Sequence, residues 1–112
     1  MKEIRAYIQP FMLRKVTDAL HRIHIHGMSV SEIKGFGKEK DEAYPHHSKD
    51  HVSEFVPKAR IEIICTDEDV EKIVGIIKNG AHTGRKGDGK ITIVNVEEVI
   101  SIRTGESGNQ VV

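Results

Sequence analysis

The chain has 112 residues, and seventeen Lys and Arg balance seventeen Asp and Glu, so it carries no formal net charge. That balance argues against a general attraction to nucleic acid or to an anionic membrane surface. The length suits one domain, residues 1–112, and with no Trp, three Phe and two Tyr its core must come from aliphatic side chains.

In chain order, "KEIRAYIQ" alternates, with Ile4, Ala6 and Ile8 on one side and Arg5, Tyr7 and Gln9 on the other, a strand pattern. After Pro10, the apolar residues Leu13, Val16, Leu20 and Ile23 recur at helical spacing. Gly27 suits the stop of that helix, and "MSVSEIKGF" reads as a second strand. A polar, charged stretch follows at 37–55, with no sustained period. A loop of that length inside a small domain is usually functional.

The second half repeats the plan. "KARIEIIC" turns Ala59, Ile61, Ile63 and Cys65 inward. "TDEDVEKIVGIIKNG" opens on a Thr66/Asp67 cap, lays Val70, Ile73, Val74 and Ile77 along one face, and stops at Gly80. "KITIVNVEEVI" is the last strand, and 99–112 forms a tail. Two β-α-β units predict an α+β, ferredoxin-like βαββαβ sandwich with a four-stranded antiparallel sheet and both helices on one face. Arg5, Tyr7, Arg60, Glu62 and Ile64 fall on the face without helices, which a neighbouring subunit would cover.

Cys65 is the only cysteine, so no intrachain disulfide is available, and its apolar run marks a buried, inert thiol. No apolar run approaches the roughly 20 residues of a membrane helix, and the first residues lack a signal peptide's apolar segment. A soluble cytoplasmic domain is expected.

"TGRKGDGK", residues 83–90, raises the question of phosphate. Gly84 and Gly89 are spaced as in a P-loop and Lys90 follows, but Ile91 stands where a metal-binding Ser or Thr belongs, and a strand pattern follows instead of a helix. Taken alone, an ordinary Gly-rich turn is the plainer reading.

Several stretches in fixed order change that balance: "PF" at 10–11, "GMSVSEIKGFG" at 27–37, "GFGK" at 35–38, "FVPKARIEI" at 55–63, "TGRKGDGKI" at 83–91 and "IRTGE" at 102–106. With them the chain resembles the nitrogen-regulatory PII signal-transduction family over essentially its whole length. The resemblance implies a homotrimer with ATP or ADP in each of three clefts between subunits. It also implies that the 37–55 stretch is the family's T-loop, which changes shape with the bound ligand and docks onto a target protein. By position, Gly35, Gly37, Gly87 and Gly89 would let backbone approach the nucleotide. Lys38, Lys90 and Arg103 would contact phosphates, while Ser29, Thr83 and Asp88 would complete the pocket. Backbone N–H groups in such a loop can form an anion nest, and nearby cations neutralise a polyphosphate.

The chain departs from the family's pattern at several places. Glu39 replaces the Gln that helps hold magnesium and 2-oxoglutarate beside ATP, and its charge would repel a dicarboxylate. Lys58, which in the family pairs with 2-oxoglutarate, is kept. His51 stands at the Tyr that many members modify by uridylylation, and Tyr44 is not an aligned substitute. Ser101 and Lys38 replace arginines, which should weaken phosphate contacts. Thr92 replaces an aromatic.

His46, His47 and His51 lie together near Asp41, Glu42 and Asp50, and imidazole with carboxylate suits zinc or copper. Solvated loops also tolerate His freely, and that is the plainer reading. His21, His24 and His26 read as helix-end histidines favoured by the dipole, and His82 as a residue lining the phosphate loop. No nucleophile–base pair is evident, so no enzyme is expected. The leading expectation is a nucleotide-sensing regulator that acts on an ammonium channel, another transporter or a metabolic enzyme. The alternative is a metal-responsive trimer built on the loop histidines.

Overall fold

The computed structural model describes residues 1–35 and 55–112. Gly37, Lys38, Glu39, Tyr44, His46, His47 and His51, and all but Phe55 of the 37–55 stretch, lie outside the described residues.

The elements follow the expected order. Strand β1 spans Lys2–Ile8, helix α1 Leu13–Arg22 and strand β2 Ser29–Gly35; strand β3 spans Val56–Cys65, helix α2 Val70–Ala81 and strand β4 Gly89–Asn95. Short 3-10 turns at Pro10–Met12 and Asp67–Asp69 lead into the helices, and another, Asn109–Val111, lies near the C-terminus. The sheet order is β2-β3-β1-β4, every neighbouring pair antiparallel, which is the ferredoxin-like arrangement.

The alternation in the sequence becomes two faces because successive strand side chains point opposite ways. Ile4, Ala6 and Ile8 of β1 stand beside Ile63, Ile61 and Ala59 of β3, and all are buried. Val16 and Leu20 of α1 and Ile73 and Ile77 of α2 press onto this layer and are themselves fully buried. Each such aliphatic side chain contributes about 1.5–3 kcal/mol by leaving water. Cys65 belongs to the same core; burial pushes its thiol up, the Asp69 and Asp67 carboxylates add to that push, and an unionised thiol is a poor nucleophile.

Four boundaries differ from the sequence reading. Helix α1 ends at Arg22, not at Gly27, because His24 adopts the left-handed conformation (φ 67°) and turns the chain there. Gly80 does not stop α2. It lies inside the helix at the crossing with α1, where an added Cβ would stand 3.1 Å from Val16 Cγ2. Its lack of a side chain lets the helices approach closely. Thr66 precedes the 3-10 turn but does not cap backbone; its hydroxyl donates to Asp69 Oδ2 at 3.4 Å. Strand β4 stops at Asn95, so Val96 to Ile100 do not extend it, and Ile100 instead bridges to Ser107.

No helix among the described residues lies over the second sheet face. Arg5 pairs with Glu3, while Arg60 Nε lies 3.2 Å from both Glu62 Oε1 and Ser31 Oγ. Ile64 and Val94 are each 39% exposed on that side.

Candidate functional site

The stretch 82–88 connects α2 to β4, and its backbone is set by glycine. Gly84, Gly87 and Gly89 have φ of 88°, 100° and 113°, conformations that L side chains rarely adopt. At Gly89 the constraint is also steric, since a Cβ there would run into the carbonyl oxygen of Tyr7. β4 begins at this residue, paired with Ile8 at the end of β1. A strand, not a helix, follows the loop, so this is no P-loop.

Asp88 organises the interior of the loop. Its Oδ2 accepts the N–H groups of Thr83 (2.8 Å) and Gly84 (2.9 Å), and its Oδ1 accepts the Thr83 hydroxyl. His82 Nδ1 lies 3.7 Å from Oδ2. Desolvation pushes this carboxyl up, but the bonds from Thr83 and Gly84, with His82, outweigh it and hold Asp88 below the ordinary carboxylate range. Thr83 and Asp88, both expected to face a ligand, are thus bonded to each other; Asp88 acts on the loop and presents no free carboxylate.

Beyond Asp88 the loop is tied down a second way. The Gly87 carbonyl accepts Gln9 Nε2 and Lys58 Nζ, each at 2.8 Å. The peptide is trans, so the N–H of Asp88 points opposite to that carbonyl, away from Gln9 and Lys58. Gln9, expected on the outer face with Arg5 and Tyr7, is instead buried, 2% exposed, as one of these two anchors. Its only sequence signal was a polar residue closing an apolar strand immediately before Pro10.

Gly35 closes β2 at the same end of the sheet, opposite Val56, and an added Cβ there would touch Lys58 Cγ at 3.7 Å. Lys58 therefore stands between the last described residue of β2 and the 83–90 loop. Lys90 is the second residue of β4, lies opposite Tyr7 and is exposed.

Two cavities flank the loop. One of about 250 Å³ is lined by Gln9, Phe11, Thr83, Arg85, Lys86 and Asp88. The other, about 430 Å³, has Val74, Ile77, Ala81 and Ile91 along it, with Lys78 and Lys90 adding charge.

Ser29, Gly35 and Arg103 line neither cavity. Ser29 starts β2 opposite Glu62, halfway along the sheet. Arg103 lies in an exposed turn that the chain reaches only after leaving β4 at Asn95, beside Lys2, the far end from the loop. Gly35, Gly87, Gly89, Lys58 and Lys90 are therefore gathered at one end.

Residues 1–106 match the sequence model of the family described as Nitrogen regulatory protein P-II. This chain belongs to that family. It is 46% identical to the Nitrogen regulatory protein P-II of Azospirillum brasilense over 112 residues, the full length of both. The protein of the same name from Rhizobium meliloti is 46% identical over 108 residues, 96% of each chain. Nitrogen regulatory protein P-II 2 of Methanothermobacter thermautotrophicus is 45% identical over 112 residues, covering all of this chain and 97% of that one. A P-II member is a regulator of signal transduction, whose business is with target proteins. None of the helices among the described residues is long and apolar enough to cross a membrane.

Proposed function

We propose that this P-II chain senses adenine nucleotide and passes that state to a target through the 37–55 stretch. ATP or ADP binds in clefts between three copies, its phosphates on the backbone of 87–90 and on Lys90, with Arg103 supplied by the neighbouring copy. One observation carries the reading. The Gly87 carbonyl is held inward by Gln9 and Lys58, which aims the next N–H outward beside an exposed lysine. Outward N–H groups and a cation at the start of a strand suit an anion.

The path to Arg103 supports the shared cleft, because its chain leaves β4 at the end of the sheet away from the loop. The bare sheet face supports association as well, since half-exposed Ile64 and Val94 and two Arg–Glu pairs offer a mixed surface for a second copy. ATP differs from ADP by one phosphate, so the two can bias the adjoining stretch only by the difference in their affinity for its states. We read the chain as a cytoplasmic regulator and not as an enzyme. Its target is a transporter, an ammonium channel included, or a metabolic enzyme. Magnesium would accompany ATP; 2-oxoglutarate would need Lys58, which is engaged with Gly87, and would face the charge of Glu39.

The metal-responsive alternative built on His46, His47 and His51 draws no support and is not carried further.

Calorimetric titration with ATP and ADP, with and without magnesium and 2-oxoglutarate, tests the reading. Lys90→Ala and Arg103→Ala should each weaken ATP by roughly tenfold or more. When the two variants are co-expressed and assemble together, clefts joining an intact Lys90 to an intact Arg103 should regain wild-type affinity. Recovery absent from verified mixed assemblies would remove the shared cleft, and wild-type protein blind to both nucleotides would remove the whole reading.

A further inference from the structure

A second group of polar side chains lies at the opposite end of the sheet from the 83–90 loop. α1 runs back from the Ile8 end of β1 toward its Lys2 end, and the turn 23–28 then joins it to β2. That turn is closely defined. The N–H groups of Ile23 and Ile25 both donate to the Leu20 carbonyl, at 3.2 and 3.0 Å, and His24 N–H donates to the His21 carbonyl at 3.0 Å. Ile25 packs against the core, anchoring the segment between its neighbours.

This backbone places three exposed imidazoles side by side. The rings of His21 and His26 have centroids 5.3 Å apart and are tilted by 36°. The His24 ring stands 6.2 Å from that of His26, edge-on. Zinc binds imidazole nitrogen at about 2.0–2.1 Å in the ring plane, so two imidazoles on one tetrahedral zinc have centroids about 5.2 Å apart. The centroid separation of His21 and His26 matches that spacing.

We infer that His21 and His26 form a chelating pair for zinc on the α1–β2 turn, with water completing the coordination. Among the described residues no three His, Cys, Asp or Glu side chains are gathered in a position to hold a metal ion, so the site is an open two-imidazole chelate and not a closed structural centre. His24 is a further imidazole beside the pair but not one of its two ligands. The site is separate from the nucleotide loop and stands whether or not that loop binds ATP.

The test uses the full chain carrying His46→Ala, His47→Ala, His51→Ala and His82→Ala, which removes the other histidines. Zinc alone, without nucleotide, is titrated calorimetrically at neutral pH, and the melting temperature is followed with and without zinc. One zinc per chain should bind and raise the melting temperature. Adding His21→Ala or His26→Ala should weaken zinc roughly tenfold or more, because the second nitrogen no longer binds intramolecularly; His24→Ala should cost much less. Absence of zinc binding in the background protein would overturn the inference, as would binding that survives His26→Ala undiminished.

Discussion

The two βαβ halves leave their helices in different ways. After α1 the chain turns through His24, and the backbone closes on itself by bonds to Leu20 and His21. After α2 it passes through His82 in extended conformation and enters a stretch whose interior N–H groups are taken by the Asp88 carboxylate. The first connection consumes its polar groups locally. The second is shaped by a side chain and three left-handed glycines, its N–H groups at Thr83 and Gly84 turned onto Asp88. The same topological slot is thus closed by backbone bonds in one half and by a side-chain carboxylate in the other.

One substitution made in both connections sharpens this contrast most. Gly89→Ala should be the most damaging change, costing about 3 kcal/mol, because both its φ and the Tyr7 carbonyl exclude a Cβ. Urea denaturation should show the loss, and a variant as stable as the parent would break the argument. Gly80→Leu comes next, at about 1–3 kcal/mol, because it overfills the contact with Val16. A neutral result would mean that α1 and α2 are not held at this distance.

Asp88→Asn should cost about 1 kcal/mol and loosen the 83–90 loop, visible as faster amide exchange at Thr83 and Gly84. The pH dependence has a definite sign. The folded carboxyl lies below its ordinary value, so its stabilisation is full above the unfolded pKa of about 3.9 and is lost as pH falls through the lower folded value. Acid titration of the parent should show that loss, and Asp88→Asn should flatten it. The smallest effect is expected at Gly27→Ala, in the other connection. No atom lies within 4 Å of the added Cβ, and Gly27 does not have a positive φ, so a gain of about 0.4–1 kcal/mol is expected from the stiffer unfolded chain. Destabilisation there would restore Gly27 as a conformational stop.

These cases also show what a sequence can and cannot express. The strands and both helix faces were legible because burial imposes periods of two and 3.6, and the inward residues Ile4, Ile61, Ile73 and Ile77 obey them. Glycine was less legible, since its two uses look alike. Gly27 and Gly80 both follow an apolar helical run, yet one lies in open space and the other lets two helices touch. At the loop, composition marked a Gly-rich turn, but not the hydrogen bonds within it. The bonds of Asp88 to Thr83 and Gly84 have no mark in the sequence, and Gln9 becomes an anchor only when β1 is laid beside residue 87. Long-range partners of single polar groups leave no period behind.

The strand order has a consequence for how the molecule comes into being. β1 is the first strand made, yet it lies between β3 and β4, and Lys2 is paired with both Cys65 and Asn95. Neither neighbour is local, so closing the sheet requires two long chain closures before the pairing can repay their entropy. During synthesis β1 has no strand partner until β3 has been made. The 83–90 loop is later still, because the segment that forms it ends at the strand that completes the sheet. Its site therefore comes into existence only in the last stage of folding.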